Sequence, residues 1–99
     1  MFYVKIYRVR GEVLLAACDK EILGKKLSDG QYHLDVCKEF YGGKLMDVNE
    51  FTKLLSNVTI ANLTGNKVVE TAIKLGFVDK NNVLSISGIL HAQFIVMEN

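Results

Sequence analysis

The sequence predicts a mixed α and β fold, with a single mixed sheet of about five to six strands and two main helices. Two patterns carry this expectation. Phe2, Val4 and Ile6 alternate with Tyr3, Lys5 and Tyr7, the two-residue period that puts one set on each face of a strand. Val48, Phe51, Leu54 and Leu55 instead share one helical stripe, as do Val68, Val69, Ala72, Ile73 and Leu75. No Pro interrupts any element. With 99 residues the chain forms one domain, residues 1–99, and folding would bury about 65% of the surface of its unfolded chain.

The elements follow in order. Arg10 and Gly11 punctuate the first strand, and Val13 to Cys18 is an apolar run of strand length, so residues 2 to 18 read as a hairpin. Asp19 is placed to cap a short helical turn from Lys20 to Leu23, which Gly24 ends in a left-handed conformation. After the Ser28, Asp29, Gly30 turn, Tyr32, Leu34 and Val36 alternate with His33, Asp35 and Cys37 as a third strand of the sheet. Residues 38 to 46 read as a tight turn or exposed loop, because Gly42 and Gly43 allow backbone angles closed to other residues.

Asp47 with Glu50 three residues on has capping-box spacing and opens a helix over about 48 to 56. Val58 to Leu63 reads as a strand, Thr64, Gly65 and Asn66 lead into a second helix, and Gly76 ends it. Asn81 and Asn82 mark a turn, Val83, Leu84 and Ile86 a strand, and Ala92 to Met97 a last strand. Residues 58 to 87 have the strand, helix, strand form of a right-handed crossover, which predicts a parallel pair. Both helices are expected on one face of the sheet.

Composition narrows the function classes. Hydrophobic residues at 49% and charged residues at 23% exclude a low-hydrophobicity disordered chain. A formal charge of +1 is too small for a strong nucleic-acid or membrane field over the whole molecule. Cys18 and Cys37 cannot make the dense disulfide framework of a small secreted domain, no signal-like segment opens the chain, and no run is long enough to span a membrane. The expected location is the cytoplasm, without a membrane partner.

The residues that could carry chemistry are few. Cys18, His33, Cys37 and His91 have the composition of a structural zinc site, but the two Cys stand nineteen positions apart, so buried thiols are expected and no metal or cofactor. No nucleophile stands in an activating motif, so no enzyme is expected. Thr64, Gly65 and Asn66 precede a helix whose free N–H groups favour an anion, against the plainer reading of an ordinary helix start.

The outward face of the first strand is more suggestive. Tyr3, Lys5 and Tyr7 lie in line there, with Arg8 and Arg10 beside the turn, and rings alternating with cations suit single-stranded RNA. Residues 1 to 26 hold six Lys or Arg against three acids, which agrees. The plainer reading is a solvated or helix-covered strand face.

Around Phe40, Tyr41, Gly42 and Gly43, then Thr59 to Leu63, and finally His91, Ala92, Gln93 and Phe94, the chain resembles an archaeal family, domain of unknown function 424. Phe2 to Lys5 and Leu23 to Lys25 look similar too, so the likeness spans the chain. The resemblance implies an archaeal cytoplasmic protein without an assigned activity, associated with RNA and translation. It picks out Tyr41, Gly42, Gly43, Asn62, Gly65, His91 and Gln93 as a shared surface. Buried and unpaired, Asn62 would be costly, so His91 or Gln93 is expected to partner it, in a structural network or in a cleft at strand ends. Two functions follow: a non-enzymatic RNA- or ribonucleoprotein-binding module, or a protein-interaction module or homodimer held by the terminal strand or by exposed apolar surface.

Overall fold

The computed structural model describes residues 1–96. The opening hairpin forms as its alternation dictates: β1 (Phe2–Val9) pairs antiparallel with β2 (Glu12–Asp19) through a two-residue turn in which Arg10 and Gly11 both have positive φ. That mirror-image turn matches the twist of the strands it joins.

The segment after it departs from expectation. Lys20–Ile22 is a single 3-10 turn without a side-chain cap. Lys26–Asp29 (β3) and Tyr32–Asp35 (β4) then form a separate two-stranded ribbon, so the strand expected at Tyr32 lies outside the main sheet. Residues 38 to 46 are no loop: they form a one-turn helix, α1 (Lys38–Tyr41), and a short strand, β5 (Lys44–Met46), on the outer edge of β1. Gly42 and Gly43 have ordinary negative-side backbone angles. Gly43 is required for space, since a Cβ there would collide with the Val4 carbonyl on β1.

From Asp47 onward, local pattern and structure agree. The Asp47 carboxylate accepts from the Glu50 N–H at 2.9 Å and opens α2 (Val48–Leu55). Next come β6 (Ile60–Thr64), α3 (Asn66–Lys74), a short 3-10 turn at Lys80–Asn82, β7 (Leu84–Ile86) and β8 (Ile89–Ile95). Met97, expected to end the last strand, lies outside the described residues.

The sheet has six strands in the order β5-β1-β2-β6-β8-β7. The crossover from β6 through α3 to β7 does not make the expected pair, because β8 turns back and inserts between the two, antiparallel to each. The parallel pair is β2 with β6, linked by everything from residue 20 to 59. β8 pairs with β7 only through Ile89–His91 and with β6 through His91–Ile95, so Ala92–Ile95 keeps one unpaired edge among the described residues.

Alternation along the strands sorts side chains to two faces. On one, Phe2, Val4, Leu15, Ala17, Ala61, Leu63 and Ala92 pack against Phe51 and Leu55 of α2 and Val68, Val69 and Ala72 of α3. This is the main core, with the two helices on one face as the sequence predicts. The other face, where the sequence offers either a solvent-facing tyrosine platform or a covered strand, is covered in part. Ala16, Cys18, Val36, Tyr41 and Ile22 make a second buried cluster there under α1 and the ribbon.

Candidate functional site

The second face holds the residues the sequence singles out. In register across it run Tyr3, Cys18, Thr64, His91, then Lys5, Ala16, Asn62, Gln93, then Tyr7, Leu14, Ile60, Ile95. α1 lies over the β1 end of these rows, and the ribbon meets the β7 end, where Asp29 accepts from the Ser87 N–H at 3.0 Å.

Tyr41, reaching in from α1, joins the first two rows through one hydrogen-bond chain. Its hydroxyl donates to Asn62 Oδ1 at 2.5 Å and lies 3.0 Å from Thr64 Oγ1. Thr64 Oγ1 is 2.8 Å from His91 Nδ1, and His91 Nε2 is 3.2 Å from Gln93 Nε2. Each hydroxyl has one proton, so the donors are fixed in sequence. With the tyrosine proton given to Asn62, Thr64 donates to the tyrosine oxygen, His91 Nδ1–H donates to Thr64, and Gln93 donates to His91 Nε2. The chain thus requires a neutral His91. Burial pushes its pKa down from 6.5, in agreement. Burial likewise raises the Tyr41 pKa, keeping the phenol protonated as a donor.

Tyr41, Asn62, Thr64, His91 and Gln93 thus meet in one chain, with Asn62 partnered by Tyr41 rather than by His91 or Gln93. Gly42 and Gly43 stay at the β1 end of α1, and Gly65 stands beyond the strand end, so no cleft gathers all seven residues.

Gly65 has another task. The start of α3 is no open anion site, since the buried Asp19 carboxylate already fills it, accepting from Lys67 N–H at 3.0 Å and Val68 N–H at 2.9 Å. Asp19 caps α3 from forty-eight residues away and leaves the neighbouring 3-10 turn uncapped. At Gly65 (φ 130) a Cβ would strike that carboxylate.

The tyrosine platform is also corrected. Tyr3 and Tyr7 pack in the second cluster rather than projecting into solvent. Tyr7 stacks on Phe40 with centroids 5.5 Å apart, and its hydroxyl donates to the Phe40 carbonyl at 2.8 Å. Lys5 donates to the Glu39 carbonyl at 2.7 Å. Lys5 and Tyr7 thus hold α1 in place, and Tyr3 is partly buried against the cluster, so the two rings do not stand side by side in solvent as a stacking platform. Arg8 and Arg10 remain exposed, Arg8 on the opposite side of β1 by strand alternation.

The potential metal ligands scatter. Cys18 is buried, its thiol pushed up to about 12 by burial and the adjacent Asp19 charge, while His33 bonds Ser28 on the ribbon. Among the described residues no three His, Cys, Asp or Glu side chains could hold one ion.

What the face leaves open is the third row. Tyr7, Val9, Leu14 and Ile60 line a shallow depression of about 280 Å³, with Arg10 and Glu12 also on its wall. Ile95 extends the same row and is 64% exposed, and Val9 is 60% exposed.

The model of a family described as "Protein of unknown function (DUF424)" matches residues 7–97. The chain belongs to the DUF424 family. Among solved structures, this DUF424 protein is similar to an uncharacterized conserved protein from Methanopyrus kandleri, with a TM-score of 0.82 and 22% identity over 99% of this chain and 95% of that one. That likeness establishes the fold alone. No curated protein matches. No helix among the described residues of the DUF424 chain is long and apolar enough to cross a membrane.

Sequence reasoning missed Thr64 as a member of the DUF424 chain's hydrogen-bond network, and it missed the Leu14, Ile60, Ile95 row altogether. The signal was present: the two-residue period that aligns Asn62 with Gln93 also puts Ile60, Thr64, His91 and Ile95 on that face. Periodicity alone does not tell which face is covered.

Proposed function

We propose that this protein is a non-enzymatic interaction module that holds a protein partner against the uncovered row of its second sheet face. The supporting observation is the depression walled by Tyr7, Val9, Leu14 and Ile60, continued by exposed Ile95. Apolar side chains gathered on one rigid sheet gain roughly 25 cal/mol for each Å² they bury, and a contiguous exposed patch of this kind marks contact with another macromolecule. Beside the row, the Asn62 Nδ2 and Gln93 Oε1 atoms make no hydrogen bond among the described residues. They offer a donor and an acceptor for the polar margin such interfaces have.

An RNA or ribonucleoprotein partner with a place in translation draws support only from exposed Arg8 and Arg10. Tyr7 gives its hydroxyl and one ring face to α1, and the row it shares with Leu14, Ile60 and Ile95 is apolar, which favours protein. The test is photo-crosslinking from a reactive amino acid at position 60, with position 70 on α3 as control, in native lysate. Protein adducts specific to position 60 and resistant to nuclease are expected. RNA adducts, or equal labelling from both positions, would overturn the reading.

A further inference from the structure

We infer that the partner is a second copy of this chain, docked sheet to sheet across a two-fold axis that brings Arg10 of each copy to Glu12 of the other. The inference rests on the proposed protein-binding face and names its occupant.

The charges around the depression suit that occupant. Its wall holds one cation and one anion, Arg10 and Glu12, flanking an otherwise uncharged lining. Among the described residues neither has an ion-pair partner. A partner surface of one sign would satisfy one of them and repel the other, so the partner must carry both signs, as a copy of this chain does. A two-fold related copy necessarily presents both signs, and an axis between them converts two unpaired charges into two identical cross-pairs.

The backbone holds this pattern still. Arg10 (φ 52) and Gly11 (φ 81) form the tight turn between β1 and β2, and Val9 pairs directly with Glu12. The backbone therefore sets Arg10 in the turn and Glu12 at the start of β2, next to the Tyr7 and Leu14 end of the apolar row.

The row itself suits stacking on a copy. Tyr7, Leu14, Ile60 and Ile95 cross four adjacent strands, a span of about 14 Å at about 4.8 Å per strand spacing. Two such sheets packed at about 10 Å interdigitate apolar side chains without inserting a new element between them. The outermost strands, β5 and β7, have only three residues each, and the ribbon is tied to the β7 turn.

Sedimentation equilibrium from micromolar to millimolar chain tests this. The expected result is a monomer–dimer equilibrium, with Arg10→Glu and Glu12→Arg each weakening the dimer about tenfold or more through paired like charges, and the double swap restoring it. Ile60→Asp should leave a monomer with an unchanged circular dichroism spectrum; the charge swaps keep the test decisive if that variant does not fold. A mass of one chain at every concentration overturns the inference, as does a dimer indifferent to the single swaps or not restored by the double one. Monomers that still crosslink another protein from position 60 would sink the dimer and leave the binding face standing.

Discussion

Tyr41 gives its one hydroxyl proton to Asn62, and everything else in the network follows from that. Thr64, wholly buried, has the tyrosine oxygen as acceptor and His91 as donor. Tyr41→Phe removes the hydroxyl that joins the two, stranding the Thr64 hydroxyl proton and Asn62 Oδ1. The expected loss is about 1–3 kcal/mol in urea unfolding. His91 adds a pH dependence. Its pKa is lowered by burial in the folded chain, so below about 6.5 the unfolded state takes up a proton first. The contribution is complete above 6.5 and is lost progressively as pH falls toward the folded-state value. Unfolding midpoints should therefore drop as pH falls below 6.5, and His91→Gln should flatten that part of the profile. An unchanged slope in the variant would assign the dependence to other groups. The sequence indicated that Asn62 needed a partner, but the partner came from α1, an element whose existence the sequence did not disclose.

At the scale of elements, legibility tracked how local the cause was. Asp47 caps the helix that starts one residue later, and that spacing is visible along the chain. Asp19 does the same for α3, but its recipients are Lys67 and Val68, so sequence adjacency assigned it to the wrong turn. β5 and α1 are three and four residues long, too short to hold their shape without a surface, and they exist because β1 offers Phe2, Tyr3 and Val4 to one and Tyr7 to the other. The Asp19 cap predicts a local effect. Asp19→Ala should cost about 1–2 kcal/mol and should speed amide exchange at Lys67 and Val68 more than in α2. Equal acceleration in both helices would mean the cap stabilises the fold globally and not α3 in particular.

Across the whole molecule, the two sheet faces are built to different degrees. One is closed by α2 and α3 over wholly buried Phe51 and Leu63, and Phe2 meets Phe51 edge-on at 5.1 Å. The other is closed only where α1 and the ribbon reach, so the alternation in β1 marks a strand but does not tell that α1 covers part of its outer face. This asymmetry separates stability from binding. Phe51→Ala opens a cavity in the closed core and should cost about 3–5 kcal/mol. Ile60→Ala removes a half-exposed side chain from the open row, where neighbours and water can close in, and should cost about 1 kcal/mol or less for the isolated chain. Its effect should appear instead where the face is occupied, as weaker association at high concentration with little change in the urea midpoint of dilute protein. A large midpoint loss for Ile60→Ala in dilute solution would mean that the row is part of the folding core, and the open face would lose its claim to be kept for a partner.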